Sequence, residues 1–427
     1  MKAISLSALR VCSAGAVGVC LLLGSMSNAL ALESPDKTLN LNIALQRTLE
    51  KNSLLQAFPY YVRISDAQLL QAELSPAPKL GMEVANIAGS GDYSGSDQAE
   101  FTLTLGQTLE LGGKRQSRLA VADAKSQALQ ADYEIQRLDI LSSATGRYYE
   151  LLRLQALQAL TLKRVDTERQ ALEVVRQRAR AGATGQADVS KMQLRLAHSV
   201  ALASRIDGQQ QRARQQLSAL WMAKPDFVRV AGNLADIPDV PDVEALSRSL
   251  EDAPEYARAL NVQRVADSQL LLEKARGRAN LDVGIGVRYF ERTSDQALVL
   301  SASMPLYFEN PNRGYIAEAQ ARQALADQQL QYSRQQLELS LLDIQQSLTN
   351  HFNYAGELAN RVLPQAQQLL RDTEAGYRKG RYSVLQWVDA QSELFNLQRE
   401  LIETQSLIFL QFMELERLTG QSLLSSQ

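Results

Sequence analysis

Histidine is the first side chain to consider for catalysis or metal binding, and the chain has two, His198 and His351. Neither has a second ligand-type residue three or four positions away, the spacing that brings two ligands together on one helix face. Each is therefore predicted to be a surface or packing residue of a helix. Asp and Glu are numerous but scattered along predicted helices, which is typical of solvated faces. The sequence predicts no metal site.

Gly112-Gly113-Lys114 superficially resembles the end of a phosphate-binding loop. The glycine that such a loop needs five residues before Gly113 is Thr108, and no Ser or Thr directly follows Lys114. The glycines are better explained as a bend from strand into helix. The net charge of −2 gives no indication of nucleic-acid binding. We therefore expect no catalytic residues, no cofactor and no nucleic-acid partner.

The N-terminus has the layout of an export signal. Lys2 and Arg10 precede an apolar stretch, Val11–Leu23, and Ala29–Ala31 supplies a small-x-small cleavage site. Residues 1–31 are therefore predicted to be a signal peptide. An uncleaved anchor helix is the alternative, but the apolar stretch is short for a bilayer.

Both cysteines, Cys12 and Cys20, lie within this segment. Val19 stands where a lipid-attachment site needs a small residue, so no lipid anchor is predicted. The exported chain would then have neither disulfides nor thiolate metal sites. No later stretch approaches the roughly twenty apolar residues of a membrane helix.

An internal duplication organises the chain. Arg63–Leu70 is repeated as Arg264–Leu271, and Gly182–Gln193 aligns with Gly380–Gln391 at a similar offset of about two hundred residues. The segment between the copies is rich in Pro and Asp, which is typical of an ordered surface linker. The predicted parts are a first repeat at 32–224, a linker at 225–242 and a second repeat at 243–427.

Each repeat is predicted to contain a short helix, a hairpin and a long helix pair. The hairpins, at 79–109 and 280–308, alternate apolar residues with small or polar ones. This two-residue alternation is typical of strands in a membrane barrel, and equally of a half-buried strand in a soluble sheet. The helix pairs are predicted at 114–222 and 313–420.

The long helices favour the membrane interpretation. Lys114–Ala181 contains no proline, and Arg313–Lys379 contains only Pro364. Helices of that length extend about 100 Å. A coiled-coil seam runs through the first of them, with three- and four-residue spacing between apolar positions. The seam consists of Leu138, Leu141, Thr145, Tyr148 and Leu152.

Four strands cannot close a barrel, and an open sheet edge in lipid is energetically forbidden. Chains must therefore associate, and three copies would give twelve strands around an open bore, whereas two would give a plugged one. The predicted fold class is mainly α with a small β part. The assembly would be a trimer with a coiled-coil α-helical tunnel and a twelve-stranded outer-membrane β-barrel.

The chain beyond the signal peptide resembles the TolC-like outer-membrane efflux family. Gln107–Arg115 and Met304–Phe308, followed by Asn312–Gly314, resemble the branch that serves heavy-metal pumps of the resistance-nodulation-division type. The resemblance implies a homotrimer in outer-membrane lipid, with a long periplasmic extension. It would be the passive exit duct of a tripartite efflux pump, with a periplasmic membrane-fusion adaptor and an inner-membrane transporter as partners. Divalent heavy-metal cations are the expected substrates; alternatives are a multidrug or type I secretion channel, or a periplasmic coiled-coil adaptor.

The resemblance also assigns roles to the two helix–helix turns. Glycine suits a reversal between antiparallel helices because it adopts positive φ without steric cost. In the family these tips form the periplasmic mouth and dock the adaptor. The matching residues are Gly182, Thr184, Tyr377, Gly380 and Tyr382.

The family pattern places a ring of acidic residues six and nine positions after the second glycine. Those positions are Gln386, which departs from the pattern, and Asp389. The equivalent first-repeat positions are Asp188 and Lys191. An Asp389–Lys191 or Asp188–Arg381 ion pair would lock the mouth; alternatively, these are solvated residues at helix starts that cap the return helices.

Overall fold

The computed structural model describes residues 38–421, so the predicted signal peptide lies outside the described residues. Within these residues helices dominate, and six strands form two sheets. In the first half the elements are β1 (Thr38–Leu39), α1 (Leu41–Lys51), α2 (Ser53–Glu73), β2 (Lys79–Ala85), β3 (Glu100–Leu109), α3 (Lys114–Arg180), α4 (Gln186–Ser218) and β4 (Arg229–Val230). In the second half they are α5 (Val243–Arg248), α6 (Pro254–Arg276), β5 (Leu281–Phe290), β6 (Asp295–Ser303), α7 (Arg313–Glu357), α8 (Leu363–Arg378) and α9 (Val384–Thr419).

The larger sheet joins the two halves of the chain. Its strand order is β2-β3-β5-β6, with every pair antiparallel. The central pairing of β3 with β5 places Leu103 opposite Val287 and Leu105 opposite Ile285. The prediction of a mainly helical chain with four barrel strands is confirmed.

The long helices differ between the halves. Helix α3 runs for 67 residues without a break, which is about 100 Å. The corresponding run in the second half is interrupted by a π turn at Leu358–Val362, where α7 ends and α8 begins. Pro364 lies just beyond this turn; it has no N–H to donate and its ring crowds the preceding turn, and a π turn accommodates that disruption.

The connector contributes to the core as well as to the surface. Its strand β4 pairs in parallel with β1, so that Leu39 lies opposite Val230. Phe227 and Val230 are buried against α3. The Tyr148 hydroxyl of α3 donates to the carbonyl oxygen of Ala231 at 2.6 Å. The two short strands are a feature that the sequence pattern did not indicate.

Among the side chains that the structure describes, three clusters of buried apolar residues lie along the helices. The largest surrounds Tyr148, Trp221 and Phe412, where the connector packs on α3, α4 and α9. A separate cluster stabilises the two helix tips. Within residues 38–421, none of the helices combines the length and apolar character needed to cross a bilayer.

Candidate functional site: the paired helix tips and the four-stranded sheet

Both predicted tips are helix–helix turns of the same kind. Gly182 and Gly380 adopt φ of 72° and 71°. In the first tip the amide of Ala183 donates to the Arg178 carbonyl at 2.9 Å; in the second, Arg381 donates to Gly376 at 2.8 Å. This six-to-one bond with a left-handed glycine is a Schellman motif, which satisfies carbonyls left unpaired at a helix end.

The tips share one apolar cluster, in which residues from both repeats meet. The first repeat contributes Val189 and Met192, and the second contributes Tyr377 and Trp387, whose rings stack at 5.1 Å. Burial raises the pKa of the Tyr377 hydroxyl. Tyr377 is only 3% exposed. Its ring therefore supports the tip from inside, and any effect on adaptor docking would act through the shape of the tip.

Arg178 connects the two tips directly, and the sequence analysis missed it. Its Nη1 donates to the carbonyl oxygen of Tyr377. Its guanidinium carbon also lies 4.5 Å from the centroid of the Tyr377 ring, a cation–π contact. The available signal was its position in the last turn of α3, where a cation complements the unpaired carbonyls.

Tyr382 is the exposed aromatic residue of the second tip. Its ring lies directly over Gly376, where an added Cβ would come within 2.1 Å of the ring. Glycine at 376 therefore allows Tyr382 to lie flat on α8. Gly182 and Gly380 are exposed, so their backbone and the Tyr382 ring are both accessible at the tip surface.

The predicted gate residues do not pair with each other within one chain. The Gln386 side chain forms a capping box with Ser383, accepting from the Ser383 amide at 2.9 Å. Asp188 accepts a hydrogen bond from Thr184, and Asp389 is exposed on α9. Among residues 38–421, the ion pairs include neither Asp389–Lys191 nor Asp188–Arg381. The gate assignment therefore stays a prediction about the assembled mouth.

The sheet has two chemically different faces. On one face, rows of apolar side chains cross all four strands, and Leu80, Leu105, Ile285 and Leu300 form one row with exposures of 52–73%. Within the described chain this face is open. A sheet that is exposed on its apolar side is typical of a surface that lipid or another chain covers.

The opposite face is polar and small. Arg288 donates from Nη1 to Glu100 at 3.0 Å and from Nε to the Thr102 hydroxyl at 2.9 Å. At Gly286 an added Cβ would lie 2.5 Å from the Leu103 carbonyl oxygen, so glycine keeps this part of the sheet tightly paired. A lining of polar and small residues suits contact with water.

Known proteins share this arrangement. Residues 44–222 match the family described as outer membrane efflux protein. The fold matches the outer membrane protein VceC of Vibrio cholerae with a TM-score of 0.71 over 90% of this chain and 96% of that one, at 20% identity. It matches the transmembrane channel protein CusC with a TM-score of 0.76 over 91% and 93%, at 15% identity.

Two proteins with similar sequences are metal-resistance proteins by name. The cobalt-zinc-cadmium resistance protein CzcC of Cupriavidus metallidurans is 26% identical over 84% of each chain. The nickel-cobalt-cadmium resistance protein NccC of Alcaligenes xylosoxydans xylosoxydans is 24% identical over 73% of this chain and 71% of its own. Residues 44–222 therefore match the outer membrane efflux protein family, and the described chain has a fold similar to those of VceC and CusC.

Proposed function

We propose that three copies of the chain form a closed channel that is the passive exit duct of a tripartite metal-efflux pump. The observation that most directly supports this proposal is the structure of the four-stranded sheet. Within the described chain its apolar face is open, and its outer strands β2 and β6 have free edges. Unpaired strand edges cannot remain in lipid, because each unsatisfied backbone group costs several kcal/mol. Three sheets joined edge to edge would close a barrel of twelve strands.

The two faces of the sheet indicate which side of the proposed barrel would meet lipid and which would line the bore. The rows of apolar side chains would meet lipid, and the face with Arg288 and Glu100 would line the bore. The chain would reach the outer membrane by way of the predicted signal peptide, residues 1–31. The helices would extend the bore into the periplasm.

Divalent heavy-metal cations are the proposed substrates. The support is the resistance described by the names of CzcC and NccC, together with the resemblance of the strand-to-helix segment Gln107–Arg115 to the heavy-metal branch. A wide aqueous duct needs no dedicated ligand set, since an inner-membrane transporter supplies the driving force. An inner-membrane transporter of the resistance-nodulation-division type and a periplasmic adaptor are the proposed partners.

The paired tips are the proposed periplasmic mouth. Gly182, Gly380 and Tyr382 present an exposed turn surface to which an adaptor could bind. Asp389 is the proposed acidic constriction. Three copies of an exposed carboxylate around one axis would attract cations to the entrance and narrow it.

The experiment is reconstitution of the purified chain in planar bilayers, beside a deletion strain tested with zinc, cobalt, cadmium, nickel and a panel of drugs. We expect a heat-sensitive trimer in outer-membrane detergent extracts, a cation-conducting pore, and metal sensitivity of the deletion strain. Asp389→Ala should raise the conductance, whereas Asp207→Ala, on the exposed face of α4 far from the tip, should not. A soluble monomer would contradict the channel, and sensitivity confined to drugs would make the chain a multidrug channel instead.

A further inference from the structure

A layer of polar side chains lies behind the apolar cluster of the tips. Glu168 and Ser199 are fully buried, and Gln391 is 2% exposed. Buried polar groups are uncommon in coiled-coil seams, where they reduce stability and specify how helices align. We call these residues the polar layer, and it consists of Arg164, Glu168, Arg195, Ser199, Gln391 and Ser392.

Arg195 is the centre of the polar layer. Its Nη2 lies 3.4 Å from Glu168 Oε1 on α3 and donates to the Ser392 hydroxyl on α9 at 2.8 Å. Arg164 also contacts Glu168 Oε1, at 3.0 Å. Arg195 is on α4, so this one side chain joins the first-repeat helix pair to the return helix of the second repeat. The Ser392 hydroxyl in turn donates to the Val388 carbonyl at 2.7 Å.

The polar layer is not arranged for maximum stability. Glu168 Oε2, Arg195 Nε, Ser199 Oγ and Gln391 Oε1 are buried without a hydrogen-bond partner among the described residues. A buried polar atom without a partner costs free energy, and a network with unmet hydrogen bonds is less stable than an apolar layer of the same shape. Such a layer can exchange partners when the helices move, which an apolar layer cannot do.

The position of Ser392 connects this layer with the proposed mouth. Ser392 is three residues after Asp389, so the two lie on neighbouring positions of one face of α9. The Arg195 pKa is lowered by burial, while the charges of Glu168 and Asp389 act in the opposite direction. The field of Arg195 therefore reaches both carboxylates.

We propose that Arg195 is a positioning residue of the mouth, which holds α9, and with it the Asp389 carboxylate, against the first-repeat helices through its bond to Ser392. Release of this bond frees α9 to move away from α4 and widens the entrance. The inference rests on the proposed channel function. It concerns a contact within one chain, behind the tip turns, and it assigns a role to a half-buried charge that the channel otherwise does not need.

Ser392→Ala is the sharpest test, because it removes the tie to α9 and leaves the Arg195–Glu168 pair in place. We expect the ratio of open to closed mouths to rise roughly tenfold, the size of effect that loss of one hydrogen bond to a charged group produces. Single-channel conductance of the trimer in planar bilayers would report the change. The thermal midpoint of the trimer should stay near that of the wild type.

Arg195→Met and Arg195→Lys extend the series. Arg195→Met should open the mouth at least as far as Ser392→Ala, and Arg195→Lys should restore part of the closed population because an ammonium still donates to Ser392. Arg212→Met, an exposed arginine on the same helix, is the matched control and should conduct like the wild type.

The outcomes separate the two proposals. A conducting wild-type trimer with unchanged conductance in both Ser392→Ala and Arg195→Met overturns the role of Arg195 alone. A lower melting midpoint without a change in conductance would make the polar layer purely structural, and also overturns it. A wild-type chain that forms no pore overturns the channel proposal and this inference together. Ser392→Ala keeps the buried ion pair, so it decides the matter even where loss of Arg195 prevents folding.

Discussion

The two repeats use one turn geometry and stabilise it with different side chains. Both tips have a left-handed glycine and the same six-to-one hydrogen bond. The first repeat reaches its tip on the unbroken helix α3, whereas the second has a π turn before α8. The second repeat supplies the large aromatic side chains of the shared cluster. Glycine and helix length therefore determine the architecture, while side-chain volume and capping determine how firmly each tip is held.

The largest expected difference between the repeats is at the paired positions Trp387 and Val189. Both are 5% exposed in the tip cluster. Trp387→Ala should lower the opening free energy of the tip by about 3–5 kcal/mol, since it removes a large ring and leaves a cavity. Val189→Ala should cost about 2 kcal/mol. Hydrogen exchange of the α4 amides measures the effect of Val189→Ala, and exchange of the α8 and α9 amides measures that of Trp387→Ala.

Equal losses at the two positions would contradict this asymmetry. The ring of Trp387 stacks on Tyr377, so Trp387→Phe is a useful control. Trp387→Phe keeps an aromatic contact with Tyr377 and should therefore retain most of the stability that Trp387→Ala loses.

The second difference concerns the connector, which is hydrogen-bonded to the first long helix through Tyr148. The Tyr148 hydroxyl donates to Ala231, and burial raises the Tyr148 pKa to about 12. The neutral form is therefore favoured in the folded state. Its contribution is full below pH 10, where the unfolded tyrosine is also neutral, and is lost as pH rises from about 10 towards 12. We expect a loss of about 2 kcal/mol over this range.

Denaturant unfolding between pH 8 and 12 measures this contribution. Tyr148→Phe should be less stable at pH 8, because the Ala231 carbonyl loses its donor, and should lose less stability on going to pH 12. Tyr332→Phe, at an exposed tyrosine of α7, should keep the wild-type slope. A slope unaffected by Tyr148→Phe would mean that the connector tie does not contribute to alkaline stability.

The sequence was most informative where a pattern repeats over many residues. The long helices, the alternating hairpins and the glycine turns each follow from local geometry, and the structure has a helix, a strand or a turn at those positions. The pairing of β1 with β4 was not predictable, because two-residue strands have no period. The π turn was also missed, although Pro364 marked its position.

The candidate site was less accessible from the sequence. Gly182 and Gly380 were identifiable because positive φ restricts the residue type. Arg195 and Glu168 could not be singled out, since charged residues are frequent in every long helix and only packing shows which of them meet between helices. Pairing of gate residues across subunits depends on the assembly, which one sequence does not specify.

The smallest expected difference is in how the two return helices begin. At α9, Ser383 and Gln386 form a capping box. At α4 the corresponding N-cap is Gly185, which has extended backbone dihedrals and no side-chain bond. Ser383→Ala should therefore cost about 1 kcal/mol, whereas Gly185→Ser should gain only a few tenths of a kcal/mol, because glycine is itself a tolerated N-cap. Hydrogen exchange of the first-turn amides of α4 and α9 measures both changes. Unchanged exchange of the α9 amides in Ser383→Ala would mean that the Ser383 hydroxyl does not cap α9 in the assembled mouth.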